Sequence, residues 1–132
     1  MGRQSLLSSH RAPEVRLIID ETALHRKVGG AQVMRDQLGQ VQRVSQRANV
    51  TVQVIPLSAG AHPAVDGSFV LMGFPEREPH VYLEARSGGL FLSGQEQVEA
   101  YFDALEDLER VLLNVEESAK LIGEIRETMT DG

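Results

Sequence analysis

Hydrophobic and polar positions change their period several times along the chain, and each change predicts an element. Val15–Ile19 is apolar at nearly every residue, the mark of a central strand buried on both faces. Asp20 is placed to cap a short helix over Glu21–Lys27, and Gly29-Gly30 breaks the chain in a turn needing positive φ. Met34, Leu38, Val41, Ser45 and Ala48 then recur at spacings of three and four, predicting a long helix from about Ala31 to Ala48. The β-branched run Val50–Ile55, closed by Pro56, is a second strand, and Ser58–Asp66 reads as a Gly/Ala/Pro loop.

Alternation over Ser68–Phe74 gives a third strand. Pro75–Pro79 is a charged turn, and His80–Arg86 and Leu90–Leu92 are two strands joined by a hairpin at Ser87-Gly88-Gly89. Two helices finish the chain. Ser93-Gly-Gln-Glu96 fits a capping box, and Val98, Tyr101, Phe102, Leu105, Leu108 and Leu112 form an apolar stripe. Asn114 with Glu117 is the next cap, followed by a stripe of Ser118, Leu121, Ile122, Ile125 and Met129. The order is β-α-β, a β-meander, then α-α. It predicts one α/β (or α+β) domain over 14–132 with a single mixed sheet and helices packed on it, after a loose lead-in over 1–13. The long helix supplies the crossover that parallel pairing of the first two strands requires.

Composition narrows the function classes. With 132 residues, 42% hydrophobic and 24% charged, the chain is large enough for one core. No apolar run nears the roughly 18 residues of a membrane span, and the first residues are too polar for a signal peptide. With no cysteine, disulfides, thiolate nucleophiles and cysteine zinc sites are excluded, and a cytoplasmic location is expected. The net charge of −6 is uneven: residues 93–132 hold eleven acids against three bases. Nucleic-acid binding needs cations that neutralise phosphates, so this chain is not expected to grip DNA alone. With aromatics at 5% and no tryptophan, base-stacking platforms are unsupported too.

Candidate chemistry gathers at the carboxyl ends of the first two strands, where α/β folds usually bind ligands. Asp20 and Glu21 follow the first strand; Ser58 and His62 follow the second. Together they could form an acid–base or nucleophile set, or contact a ligand. Each has a plainer role: Asp20 as helix cap, Ser58 in a turn, His62 stiffening the loop before Pro63. Ligand contact is the stronger functional reading. His10, His25, His62 and His80 lack metal-ligand spacing, and no cofactor motif is present. Gly29-Gly30 fits no phosphate-loop pattern.

Several segments together resemble a sensor-like domain of actinobacterial XRE-family helix-turn-helix regulators. They are Arg-Leu-Ile-Ile-Asp-Glu-Thr-Ala-Leu (16–24), Val-Gly-Gly (28–30), Val-Met-Arg-Asp-Gln-Leu (33–38), Asn-Val-Thr-Val-Gln-Val-Ile-Pro (49–56) and Ser-Ala-Gly-Ala-His-Pro (58–63). Gly-Ser-Phe-Val-Leu (67–71), Val-Tyr-Leu-Glu (81–84) and Glu-Glu-Ser (116–118) continue the match. The resemblance implies a transcriptional regulator, antitoxin-like in some members and paired with a small partner protein encoded nearby. It implies no catalytic residue and no cofactor. The family's helix-turn-helix is not in this sequence, so a fragment or a stand-alone homologue is expected. The leading expectation is a domain sensing a small molecule or partner. The alternative is a pure interaction or dimerisation module, and a hydrolase-type enzyme using Asp20, Glu21, Ser58 and His62 stands third. For the interface, homodimeric or with a basic partner, the expected residues are Tyr101, Leu105, Leu108, Leu112, Ile122 and Ile125, on stripes wider than one core can cover.

Overall fold

Parallel pairing of the first two strands organises the molecule. The computed structural model describes residues 13–25, 29–59, 68–74, 77–85 and 88–129. Strand β1 (Glu14–Asp20) pairs in parallel with β2 (Val50–Ile55), Val15 opposite Val50 and Asp20 opposite Ile55. The expected lead-in, apart from Pro13, lies outside the described residues. On its other side β1 meets β3 (Phe69–Phe74) antiparallel, and β4 (Arg77–Ala85) and β5 (Gly88–Leu92) continue the meander. The sheet order is β2-β1-β3-β4-β5, so β1 is interior and β3 is the middle strand.

Side-chain alternation divides the core in two. Ile19 of β1 and Val50, Val52 and Val54 of β2 face one way, into a core closed by Met34 and Leu38 and by Ile122 and Ile125. Those residues come from helices α2 (Ala31–Val44) and α4 (Val115–Thr128). Ile18, Ile55, Phe69, Leu71 and Val81 face the other way, beneath Val98, Leu105 and Leu108 of helix α3 (Gln95–Leu108). Burying each such side chain stabilises the fold by about 1.5–3 kcal/mol before chain entropy is set against it.

The short helix α1 (Glu21–Leu24) follows β1 directly. Gly29 and Gly30 carry φ of 81° and 96°, as the expected turn requires. Helix α2 ends at Val44, short of the expected Ala48. Ser45 Oγ donates to the Gln42 carbonyl, and Val50 N–H donates to the Arg47 carbonyl in the turn into β2. Three further expectations are corrected. Helix α3 has Gly94 as its N-cap with no side-chain cap bond, so Ser93 sits one residue too early to form a capping box. Gly88 and Gly89 belong to β5, opposite Ala85 and Glu84. Arg77–Pro79 is strand, because a bulge between Met72 and Phe74 carries pairing on to Phe74 and Arg77. The Asn114 capping box forms as expected, with Asn114 Oδ1 accepting from Glu117 N–H at 2.7 Å and Glu117 Oε1 accepting from Asn114 N–H at 3.0 Å.

Candidate functional site

At the carboxyl ends of β1 and β2, two of the four expected residues, Asp20 and Glu21, are engaged in structural bonds. Asp20 Oδ1 accepts from Thr22 N–H at 2.9 Å and caps α1, while Asp20 N–H donates to Ser68 Oγ at 3.0 Å. Glu21 Oε1 accepts from Leu57 N–H at 3.0 Å, tying β1 to the 3₁₀ turn Leu57–Ala59 after β2. Its Oε2 lies 2.9 Å from His25 Nε2. The His25 hydrogen bond holds the Glu21 carboxyl below the ordinary glutamate range, helped by the Leu57 amide and opposed by burial. A general base works best with a pKa near the operating pH, and Glu21 is moved away from it. Ser58 is exposed in the 3₁₀ turn. His62 lies outside the described residues. Among the described residues, no group of three or more His, Asp or Glu converges as metal ligands.

A cavity of about 410 Å³ lies at the opposite end of the strands, between the start of β1 and the last turn of α3. Its apolar wall is Leu71, Phe102 and Leu105; its charged lining is Glu14, Arg16, Glu106 and Glu109. Arg16 explains the geometry. It shares a face with Ile18, so alternation turns a guanidinium toward the α3 side of an interior strand. There Arg16 Nε and Nη2 donate to Gln53 Oε1 at 3.0 and 2.6 Å, and Nη2 reaches Glu109 Oε1 at 3.1 Å. Gln53 Nε2 passes the contact on to the Leu113 carbonyl at 3.1 Å. Gly73 leaves room on the β3 side, since a Cβ there would meet only the Glu14 carbonyl oxygen, at 4.0 Å. A smaller cavity of about 270 Å³ opens between α2 and α4 beside Val52, Val115 and Ile122.

The expected interface residues require correction. Leu105 and Leu108 are buried in the α3 core, and Ile122 and Ile125 in the α2/α4 core. Tyr101 lies against Phe69 with ring centroids 5.2 Å apart, and Leu112 packs on the same core. Helices α3 and α4 cover opposite faces of the sheet, so their stripes never merge into one surface; two cores absorb what one could not. The apolar side chains left outward near these helices are Phe102, Val111 and Val115.

Periodicity and composition alone do not single out Arg16, Gln53 or Glu109. The readable signal was polar residues of matching parity at the same end of two apolar strands: Glu14 and Arg16 in β1, Thr51 and Gln53 in β2.

These features define a mixed α/β domain whose sheet is covered by helices on both faces and whose larger cavity opens beside the strand starts. The chain belongs to the DUF5753 family, a domain of unknown function whose model matches residues 1–124. No curated protein and no solved structure matches the chain. Among the described residues no helix is long and apolar enough to cross a membrane.

Proposed function

We propose that this chain is the sensing domain of a cytoplasmic XRE-family transcriptional regulator. It takes a small molecule or partner and passes its state to a helix-turn-helix carried elsewhere. The cavity beside Arg16 supports the reading most directly. At about 410 Å³ it has the size of a small-molecule site, with an apolar wall and a charged rim that could orient an occupant. Asp20 and Glu21 are engaged in capping and bridging bonds, which speaks against the hydrolase reading. The net charge of −6 supports leaving DNA contact to another domain: at physiological salt the isolated chain should show no sequence-dependent duplex binding tighter than about 10⁻⁶ M.

A metabolite screen by thermal shift tests the reading, using the wild type and Gly73→Leu, whose side chain would fill the cavity. A ligand at 100 times its Kd stabilises the folded state by about 2.7 kcal/mol. The expected outcome is a compound that stabilises the wild type and leaves folded Gly73→Leu unmoved. Equal stabilisation of both proteins, or none of either, refutes it. The interaction-module alternative draws on exposed Phe102 and Val111. A dimer in solution that Phe102→Glu and Val111→Glu convert to monomer would favour it.

A further inference from the structure

We infer that the Arg16 cavity takes an amphipathic organic cation: an ammonium group on an apolar or aromatic body. The inference rests on the sensing reading and adds the chemical class of ligand.

Charge and shape point the same way. Three carboxylates and one guanidinium line the cavity. Arg16 is already committed, with Nε and Nη2 on Gln53 and Nη2 on Glu109 at 3.1 Å. That pairing offsets Glu109 and leaves Glu14 and Glu106, a formal charge of −2, with no partner among the described residues. Arg16 Nη1 has no hydrogen-bond partner among the described residues, but an anion drawn to it would face three carboxylates against this one guanidinium. A cation meets attraction from Glu14 and Glu106 without breaking that pair.

The apolar wall selects what the cation carries. Leu71 and Leu105 are buried and form the floor. Phe102 stands at the wall 38% exposed, a large aromatic face left to water where an occupant would cover it. An ammonium group near an aromatic ring gains a cation–π contribution as well as burial of its hydrocarbon part. A bare metal ion would use none of this wall, and a neutral hydrocarbon would use none of the rim.

Phenethylammonium, phenethyl alcohol and phenylacetate carry one body with three charges, and methyl NMR titration of the whole chain tests the inference. For ligands this small, Kd is on the order of millimolar. The expected result is saturable shifts of the Leu71 and Leu105 methyls with phenethylammonium, weakened by added salt. The alcohol should bind about fivefold more weakly, because two exposed carboxylates each contribute little, and phenylacetate more weakly still. Glu14→Gln with Glu106→Gln, both surface changes, should remove the preference for the ammonium over the alcohol. If phenylacetate or the alcohol saturates the same methyls as well as the ammonium does, the cation inference fails while the cavity remains a ligand site. If no probe moves those methyls, the sensing reading fails with it.

Discussion

Replacing Ser118 with alanine isolates the contact that closes the sheet edge at β2. In the parallel pairing, Val15 N–H bonds to the Asn49 carbonyl, which leaves the even residues of β2 directing their backbone groups away from β1. At Val54 both groups are met by the start of α4 and the residues before it. Val54 N–H donates to Ser118 Oγ at 3.0 Å, and Leu113 N–H donates to the Val54 carbonyl at 3.0 Å. Ser118 and Val54 are both 0% exposed, so an amide that loses the hydroxyl has no water to replace it. A buried donor left unmade costs about 1–3 kcal/mol. Alanine returns up to about 0.5 kcal/mol of helix propensity. The expected loss is therefore about 1–2 kcal/mol, lowering the melting temperature by about 5 °C in a chain of 132 residues. Urea unfolding gives the energy, and hydrogen exchange at the Val54 amide gives its location. Exposed Ser93→Ala is the control. A loss below about 0.3 kcal/mol with Val54 protection unchanged would refute the claim that Ser118 closes this edge.

Two further outcomes are expected. A Cβ on Gly39 would lie 2.8 Å from Arg126 Nη2, while Arg126 is held by the Arg35 carbonyl and Gln42 Oε1. Gly39→Ala should thus destabilise by about 1 kcal/mol despite better helix propensity, and should turn neutral or stabilising when Arg126→Ala is already present; additive effects in the cycle would sink this. Glu21 has a lowered pKa in the folded state, so its contribution is present above the unfolded value of about 4.3 and lost as pH falls through the folded one. Glu21→Gln should flatten the acid side of the stability–pH curve by a few tenths of a kcal/mol, solvent screening keeping the effect small, and an unchanged acid slope in urea titrations would contradict it.

The backbone frame was legible because its signals are local. The β-branched runs at Val15–Ile19 and Val50–Ile55 and the three-and-four spacing through Met34 and Leu38 describe two strands and their crossover without tertiary information. What was not legible depends on pairing between distant segments. The bulge beside Gly73 exists because β3 and β4 shift register. The apolar stripes of α3 and α4 carry no mark saying which sheet face each will cover, so surplus hydrophobicity suggested an outer interface where there are two inner cores. Ser118 lies on a helical stripe with apolar neighbours, and only the edge position of β2 gives its hydroxyl a strand amide to accept from. The carboxyl-end residues carry a functional expectation because α/β sheets usually bind there. In this sheet three of its five strands run in a meander, and the larger cavity lies at the other end.

That cavity is wired to the rest of the molecule through few atoms. Arg16 holds Gln53 and Glu109; Gln53 holds the Leu113 carbonyl; Leu113 N–H and Ser118 Oγ hold Val54. The stretch from Glu109 to Asn114 therefore joins the cavity rim to the start of α4, crossing from one sheet face to the other. An occupant that bonded Glu109 more strongly than Arg16 does would free one end of this chain of contacts. It could shift α4 only by the difference in its affinity for the two arrangements. The Arg16–Glu109 pair is solvent-accessible, with side chains 31% and 52% exposed, so breaking it costs at most about 1 kcal/mol. The Val54 bonds are buried and resist disruption by more. Loosening should accordingly stop at the 109–114 connection and leave the α4 cap on β2 intact. Any signal from the cavity would then leave through the position of that connection, with the sheet unaltered.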